Sequence, residues 1–193
     1  MTGAEKKLIQ NATNGDLKSF EELIKTYQLY AYNISLKMMG NEEDAKDTAQ
    51  DALIKVYKNL KSFKGDSTFS TWLYRIVMNT CKDELRRRKN LISIDEKMEV
   101  EDGEIGLQLE STSYNPVTEY ERSDIKEKMQ IALSKLPDNN KSVIILRDIH
   151  GYSYEEISKI EDIAIGTIKS RINRGRKLLK DIIKNEMHKE FNL

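Results

Sequence analysis

The stretch EEISKIEDIAIGTIKSRINRGRKLLK, residues 155–180, holds a short helical segment, a tight turn and a longer cationic segment. Ser153-Tyr154-Glu155-Glu156 opens it as a capping box, with Ser at the cap and Glu three residues on. With Ile168 at 0° and about 100° per residue, Ile172, Gly175, Leu179 and Ile183 fall within about 60° of it and form one stripe to bury. Ser170, Asn173, Arg174 and Lys177 fall between roughly 140° and 240°, on the opposite face. The pattern predicts a helix-turn-helix whose second helix suits a DNA major groove. Arg pairs with guanine, Asn with adenine, and Lys with guanine or phosphate. Gly166, near the helix start, lets backbone approach a partner closely. The competing reading is a solvated basic face on an ordinary helix, and the capped helix and turn ahead of it weigh against that.

Upstream, apolar periodicity at Ile125, Met129, Leu133 and Leu136 gives a helix ended by Pro137. VIILRDI, residues 143–149, gives another, stopped at His150-Gly151. Near the N-terminus, Leu17, Phe20, Ile24, Tyr27, Ala31, Ile34 and Met38 predict one amphipathic helix over 17–38, closed by Gly40. Asn41 then caps a second helix reaching about Leu60, with Glu42, Glu43 and Asp44 at its positive end. Ala45, Ala49, Ala52, Leu53, Val56 and Leu60 point inward on that helix. The loop SFKGDST, residues 62–68, leads to a third helix from Ser70 to about Arg88.

That third helix carries TWLYRIVMNTCKDELRRRK, residues 71–89. Leu73, Val77, Cys81 and Leu85 form its inward row, and Arg75, Asn79, Lys82 and Arg86 a stripe on another face. Basic side chains beside aromatics and amides are what single-stranded nucleic acid requires, for phosphate contact, stacking and base-edge hydrogen bonds. Phe63 and Trp72 read equally as core packing. Seven of the nine arginines lie at 75, 86, 87, 88, 171, 174 and 176, where planar, bidentate contacts count.

The 193 residues hold 32 basic and 32 acidic side chains, a balance that normally argues against a nucleic-acid binder. Counted by segment, the balance dissolves: residues 61–90 carry 8 basic and 3 acidic side chains, and residues 166–193 again 8 and 3. Residues 91–124 carry 2 and 10, with two glycines and Asn115-Pro116, and read as an extended acidic linker. The single cysteine, Cys81, excludes an internal disulfide, and neither a secretory signal nor an apolar run long enough for a membrane helix is visible. The expectation is a cytoplasmic, all-α protein of two small helical domains, 1–90 and 125–193, on the acidic tether 91–124. Catalysis finds little support. His150 and His188 are the only histidines, no Glu-x-x-His pair and no Walker loop occur, and no metal, cofactor or small-molecule substrate is implied.

Four segments together resemble one family: DAKDTAQDALIKVYKNL (44–60), SFKGDSTFSTWLYRIVMNTCKDELRR (62–87), LPDNNKSVIILRDIHGYSYEEIS (136–158) and IGTIKSRINRGRKLL (165–179). The chain resembles an extracytoplasmic-function sigma factor, the smallest type of bacterial sigma subunit, and the match runs through both predicted domains in the family's order. The resemblance implies a domain of region 2 type and one of region 4 type, joined by a linker. It implies that Asp44, Asp47, Gln50 and Asp51 dock on the coiled coil of the largest polymerase subunit, while the C-terminal domain meets the flap of the second largest. It places −10 recognition and melting on Phe63, Lys64, Asp66, Ser67, Trp72, Arg75, Ile76, Asn79, Lys82 and Arg86, with a flipped base held near Phe63, Ile76 and Asn79. It places −35 reading on Thr167, Lys169, Ser170, Asn173, Arg174 and Lys177, with Arg171 and Arg176 on phosphate. An anti-sigma factor is an implied partner, and the acidic tether reads either as an RNA mimic near the polymerase active-site cleft or as a solvated spacer. Glu161, Ala164 and Thr48 depart from the family pattern: Glu161 and Thr48 stand where apolar residues are usual, and Ala164 where proline is. The rival is a helix-turn-helix regulator that binds duplex DNA without polymerase.

Overall fold

The computed structural model describes residues 2–95 and 128–190, with side chains for 2–91 and 128–185. Among them every regular element is a helix. The tether falls outside the described residues, apart from a helical lead-in at 91–95.

Local chemistry sets the helix ends. Helix α1, Gly3–Thr13, starts where the Thr2 hydroxyl accepts the Glu5 N–H at 3.2 Å. Helix α2, Leu17–Lys25, is capped by Asp16, whose carboxylate accepts the Lys18 N–H at 3.1 Å and the Ser19 hydroxyl at 2.6 Å. Helix α3, Gln28–Met39, ends on Gly40 at φ 98°, a left-handed conformation that glycine adopts without a Cβ clash. Asn41 then caps helix α4, Glu42–Asn59, by accepting the Asp44 N–H at 2.9 Å, with three acids in the first turn as expected. Helix α5, Phe69–Asp95, follows the FKGDST loop and is capped by Thr68, whose hydroxyl oxygen accepts the Thr71 N–H at 3.2 Å.

The helix expected over 17–38 is two helices. The chain breaks at Thr26-Tyr27, where the Tyr27 N–H turns back to the Ile24 carbonyl at 2.8 Å. The break lets the Tyr27 ring meet Phe69 and Tyr74 at centroid distances of 5.4 and 6.2 Å, while its hydroxyl donates to Glu5 of α1. Leu17, expected inward, is 54 % exposed because α2 turns that side to solvent. Helix α1 carried too weak a period to be expected.

In the second half, residues 128–134 form helix α6. Helix α7 begins at Asp138, directly after Pro137, so it starts earlier than VIILRDI suggested; Asp138–Ile144 is α-helical and Ile145–Ile149 widens into a π turn. Helix α8, Tyr154–Glu161, opens with both halves of the capping box formed, and Asp162 at φ 57° makes the left-handed turn into helix α9, Ile165–Glu190.

Two apolar sets hold these helices. Ile34, Met38, Ala45, Ala52, Val56, Phe69, Leu73, Val77, Met78 and Cys81 are buried among α3, α4 and α5. Leu133, Val143–Leu146, Ile157, Ile160, Ile168 and Ile172 are buried among α6–α9. Each fully buried large aliphatic contributes about 1.5–3 kcal/mol. Gly175 allows α9 its close approach to α7, since a Cβ there would stand 2.8 Å from Ile144 Cγ1. The two sets are continuous: α5 packs on α8 and α3 on α7.

Candidate nucleic-acid interface

Helix α9 presents the faces its period predicted. Ile168 and Ile172 are buried, while Thr167, Lys169, Ser170, Asn173, Arg174 and Lys177 are exposed. The Ser170 hydroxyl donates back to the Thr167 carbonyl at 2.8 Å. Lys169 Nζ rests 5.7 Å from the Tyr154 ring centroid, and Arg147 stacks on the same ring at 4.8 Å. Two arginines of the set are engaged. Arg176 forms a fork with the Asp148 carboxylate at 2.5 and 3.1 Å, while half-buried Arg171 stands 4.0 Å from Glu161. Asn140 of α7 donates to the Arg171 carbonyl at 2.9 Å, which fixes α9 against α7.

On the other cationic block, an aromatic stack positions the loop. The half-buried Phe63 ring meets Phe69 edge-on at 5.5 Å and Trp72 at 5.3 Å, and Phe69 is fully buried. Phe63 and Trp72 therefore pack as part of the aromatic cluster around Phe69. Lys64 and Asp66 are exposed, and the half-buried Ser67 donates to the Thr68 carbonyl at 3.3 Å. Along α5, Asn79 and Arg86 are exposed, whereas Arg75, Ile76 and Lys82 are half-buried. Arg75 donates to Asp162 in the α8–α9 turn and Lys82 to Glu161 at the end of α8. Arg86 holds a solvent-exposed pair with Asp83 at 3.1 Å.

The acids of α4 separate. Asp44 accepts a fork from Arg88 of α5, 2.6 Å on one arm, and the guanidinium lowers its pKa. Arg87 and Arg88 also clasp Glu84 at 2.7–2.8 Å, and these bonds hold its carboxyl at about 2, well below the usual range. Asp47 and Asp51 are exposed and line a polar cleft between α4 and α5 with Lys55, Thr80 and Asp83. Gln50 faces the other way, onto an open apolar groove of about 780 Å³ bounded by Phe20, Leu29, Leu53, Ile54 and Tyr57. Cys81 is fully buried, and desolvation pushes its thiol up to about 11.

The chain carries two sigma family matches in order, to sigma-70 region 2 over residues 23–91 and to sigma-70 region 4 over residues 126–179. It is 34 % identical over 176 residues to the ECF RNA polymerase sigma factor SigW of Bacillus subtilis, covering 91 % of this chain and 94 % of that one. The chain belongs to the extracytoplasmic-function sigma factors. It is also 36 % identical over 174 residues to the ECF RNA polymerase sigma-E factor of Escherichia coli, 89 % of this chain and 90 % of that one. Among solved structures it is similar to the sigma factor RpoE of Bartonella quintana, crystallised in complex with the anti-sigma factor NepR. That match has a TM-score of 0.67 and 25 % identity, and it covers 87 % of this chain and 98 % of that one. The fold is shared as well with CnrH, solved with the cytosolic domain of CnrY, at TM-score 0.66 and 21 % identity over 95 % and 99 % of the two chains.

Within this sigma factor, the residues that sequence reasoning missed lie between the two halves. Glu161 showed only as a departure from the family pattern, and Asp162 and Lys141 showed no signal. Contacts between segments far apart in the chain leave no local period.

Proposed function

We propose that this sigma factor binds core RNA polymerase, recognises the −35 and −10 elements of its promoters and opens the duplex at the latter. The observation that carries the reading is the two-sided character of α9, with Ile168 and Ile172 buried and Ser170, Asn173, Arg174 and Lys177 open on the opposite side. Those four residues, with Thr167 and Lys169, meet base edges at −35, and Arg171 and Arg176 meet phosphates. Phe63, Lys64, Asp66, Ser67, Trp72, Arg75, Ile76, Asn79, Lys82 and Arg86 form the −10 surface. Asp47, Gln50 and Asp51 dock on the coiled coil of the largest subunit. Asp44 acts through Arg88, holding α4 against α5. The C-terminal unit meets the flap of the second largest subunit, and an anti-sigma factor controls the whole.

Residues 1–90 and 125–193 serve as the two domains on the tether 91–124, with the lead-in of α5 reaching Asp95. At about 3.3 Å per residue the 34 tether residues reach about 110 Å, against roughly 70 Å for two turns of duplex. The protein works in the cytoplasm without cofactor and is not an enzyme. No helix among the described residues is long and apolar enough to cross a membrane.

Asn79→Ala tests the −10 assignment. Permanganate footprinting of holoenzyme on a cognate promoter is expected to show impaired opening with core binding retained. Wild-type opening by the variant contradicts the pocket.

A further inference from the structure

Helix α1 precedes residues 23–91, which carry the region 2 match, and none of the assigned site residues lies on it. Its start reads Thr2-Gly3-Ala4-Glu5, the spacing of a capping box. The Thr2 hydroxyl accepts the Glu5 N–H at 3.2 Å, and that cap fixes where Glu5 stands. The half-buried Glu5 carboxylate then reaches out of its own helix and accepts the hydroxyl of Tyr27, 22 positions on, at the break between α2 and α3. Burial, and after it the bond to Glu5, raise the Tyr27 pKa, so the hydroxyl keeps its proton and donates.

From Tyr27 a run of ring contacts leads to the loop assigned to the −10 element. The Tyr27 ring meets Phe69 edge-on at 5.4 Å. Phe69 is the first residue of α5 and fully buried, and it meets Phe63 edge-on at 5.5 Å and Trp72 at 5.7 Å. Phe63 and Trp72 close the set at 5.3 Å. Helix α1 also packs on the 3-10 turn Leu60–Ser62, after which the Phe63 N–H turns back to the Leu60 carbonyl at 3.1 Å. One helix therefore holds the loop at both ends, through that turn at its entry and through Tyr27 and Phe69 at its exit.

We propose that Glu5 and Tyr27 are positioning residues for −10 recognition, which hold Phe69, and through it Phe63 and Trp72, in the arrangement that takes the flipped base. A phenylalanine ring has no polar handle, so its orientation is set by the surfaces packed against it. A tyrosine pinned at its hydroxyl by a carboxylate cannot tilt without giving up a charge-assisted hydrogen bond, whereas an unpinned ring repacks. Stacking is sensitive to such shifts, since a gap of about 0.5–1 Å forfeits a quarter to a half of each atomic contact.

The proposal rests on the reading of Phe63 as a −10 residue, and the test separates the two. Trp72 is the single tryptophan of the chain, so its emission reports on the loop directly. Tyr27→Phe keeps the ring and removes only the hydroxyl, and Glu5→Ala removes the acceptor. In the free full-length protein both are expected to shift Trp72 emission to longer wavelength and to raise its quenching by acrylamide, with helical circular dichroism unchanged. In holoenzyme both are expected to weaken binding of a single strand carrying the −10 element of a cognate promoter about tenfold, with core binding and −35 duplex binding retained. The double variant is expected to be no worse than either single one, because all three lose the same bond. Glu5→Gln keeps an acceptor and is expected to restore both emission and −10 binding.

Unchanged Trp72 emission in both single variants overturns the positioning role and leaves the −10 reading standing. Altered emission with unchanged −10 binding overturns the proposal through that reading instead, and wild-type −10 binding by Phe63→Ala then refutes the reading itself. Equal losses of −10, −35 and core binding mark a merely structural defect and also overturn it. If Tyr27→Phe loses helical circular dichroism, Glu5→Ala carries the test alone from the half-buried face of α1. Wild-type emission and −10 binding by that variant overturn the proposal.

Discussion

The segments 61–90 and 166–193, which hold most of helices α5 and α9, carry equal net charge, 8 basic against 3 acidic side chains in each, yet the two helices stand differently toward a partner. Asn173, Arg174 and Lys177 of α9 face solvent. Arg75 and Lys82 of α5 are half-buried against the Asp162 and Glu161 carboxylates. Even within α9, Arg176 is held by Asp148 while Arg174 is open. A count of cations thus measures capacity for nucleic acid, and the acids packed beside them set how much of it is available. The net charge of zero conceals the same division, since part of the balancing acid sits on the cations themselves.

The comparison breaks most severely if the scaffold under α5 is removed. Phe69→Ala takes out a fully buried ring that supports Phe63, Trp72 and Tyr27. It is expected to destabilise the protein by about 3–5 kcal/mol in denaturant unfolding, and to abolish −10 function before −35 binding. The open and engaged arginines of α9 give a sharper contrast. Arg174→Ala is expected to cost about 1–3 kcal/mol at one base position of the −35 element, read in holoenzyme binding to substituted promoters. Arg176→Ala is expected to weaken all sequences alike and to reduce the salt slope by about 1. Equal, sequence-independent losses for both would remove the distinction.

The smallest expected effect concerns the far end of α5. The Arg87 and Arg88 guanidiniums hold Glu84 at about 2, below its usual 4.5. A carboxyl depressed on folding contributes stability that is present above its unfolded value and lost as pH falls toward the folded one. Melting temperature is therefore expected to drop from about pH 4.5 to pH 2, and part of that drop disappears in Glu84→Gln. A Glu84→Gln profile parallel to wild type throughout contradicts the clasp.

What the sequence made legible was local. The stripe Ile168, Ile172, Gly175 and Leu179, the Ser153 capping box and the Asn41 cap are written in neighbours three or four residues apart, and all are formed. The break at Thr26-Tyr27 was hidden because the apolar period runs through it; the packing of Tyr27 against Phe69 and Glu5, distant in sequence, selects it. Asp44, Asp47 and Asp51 looked alike as a row of acids, but only Asp44 meets Arg88, a residue 44 positions away. Glu161 was visible as an anomaly and unexplained until Lys82 stood beside it. Periodicity records which face is buried, and it carries no information about what buries it.

The most direct measurement is promoter binding and run-off transcription by the purified chain with and without core RNA polymerase, across a library of promoter sequences. The expected result is specific −35 and −10 selection and transcript synthesis only when core enzyme is present, with weak and unselective duplex binding by the chain alone. Tight, specific duplex binding by the isolated chain, with no core association and no transcript in the reconstituted reaction, would contradict it.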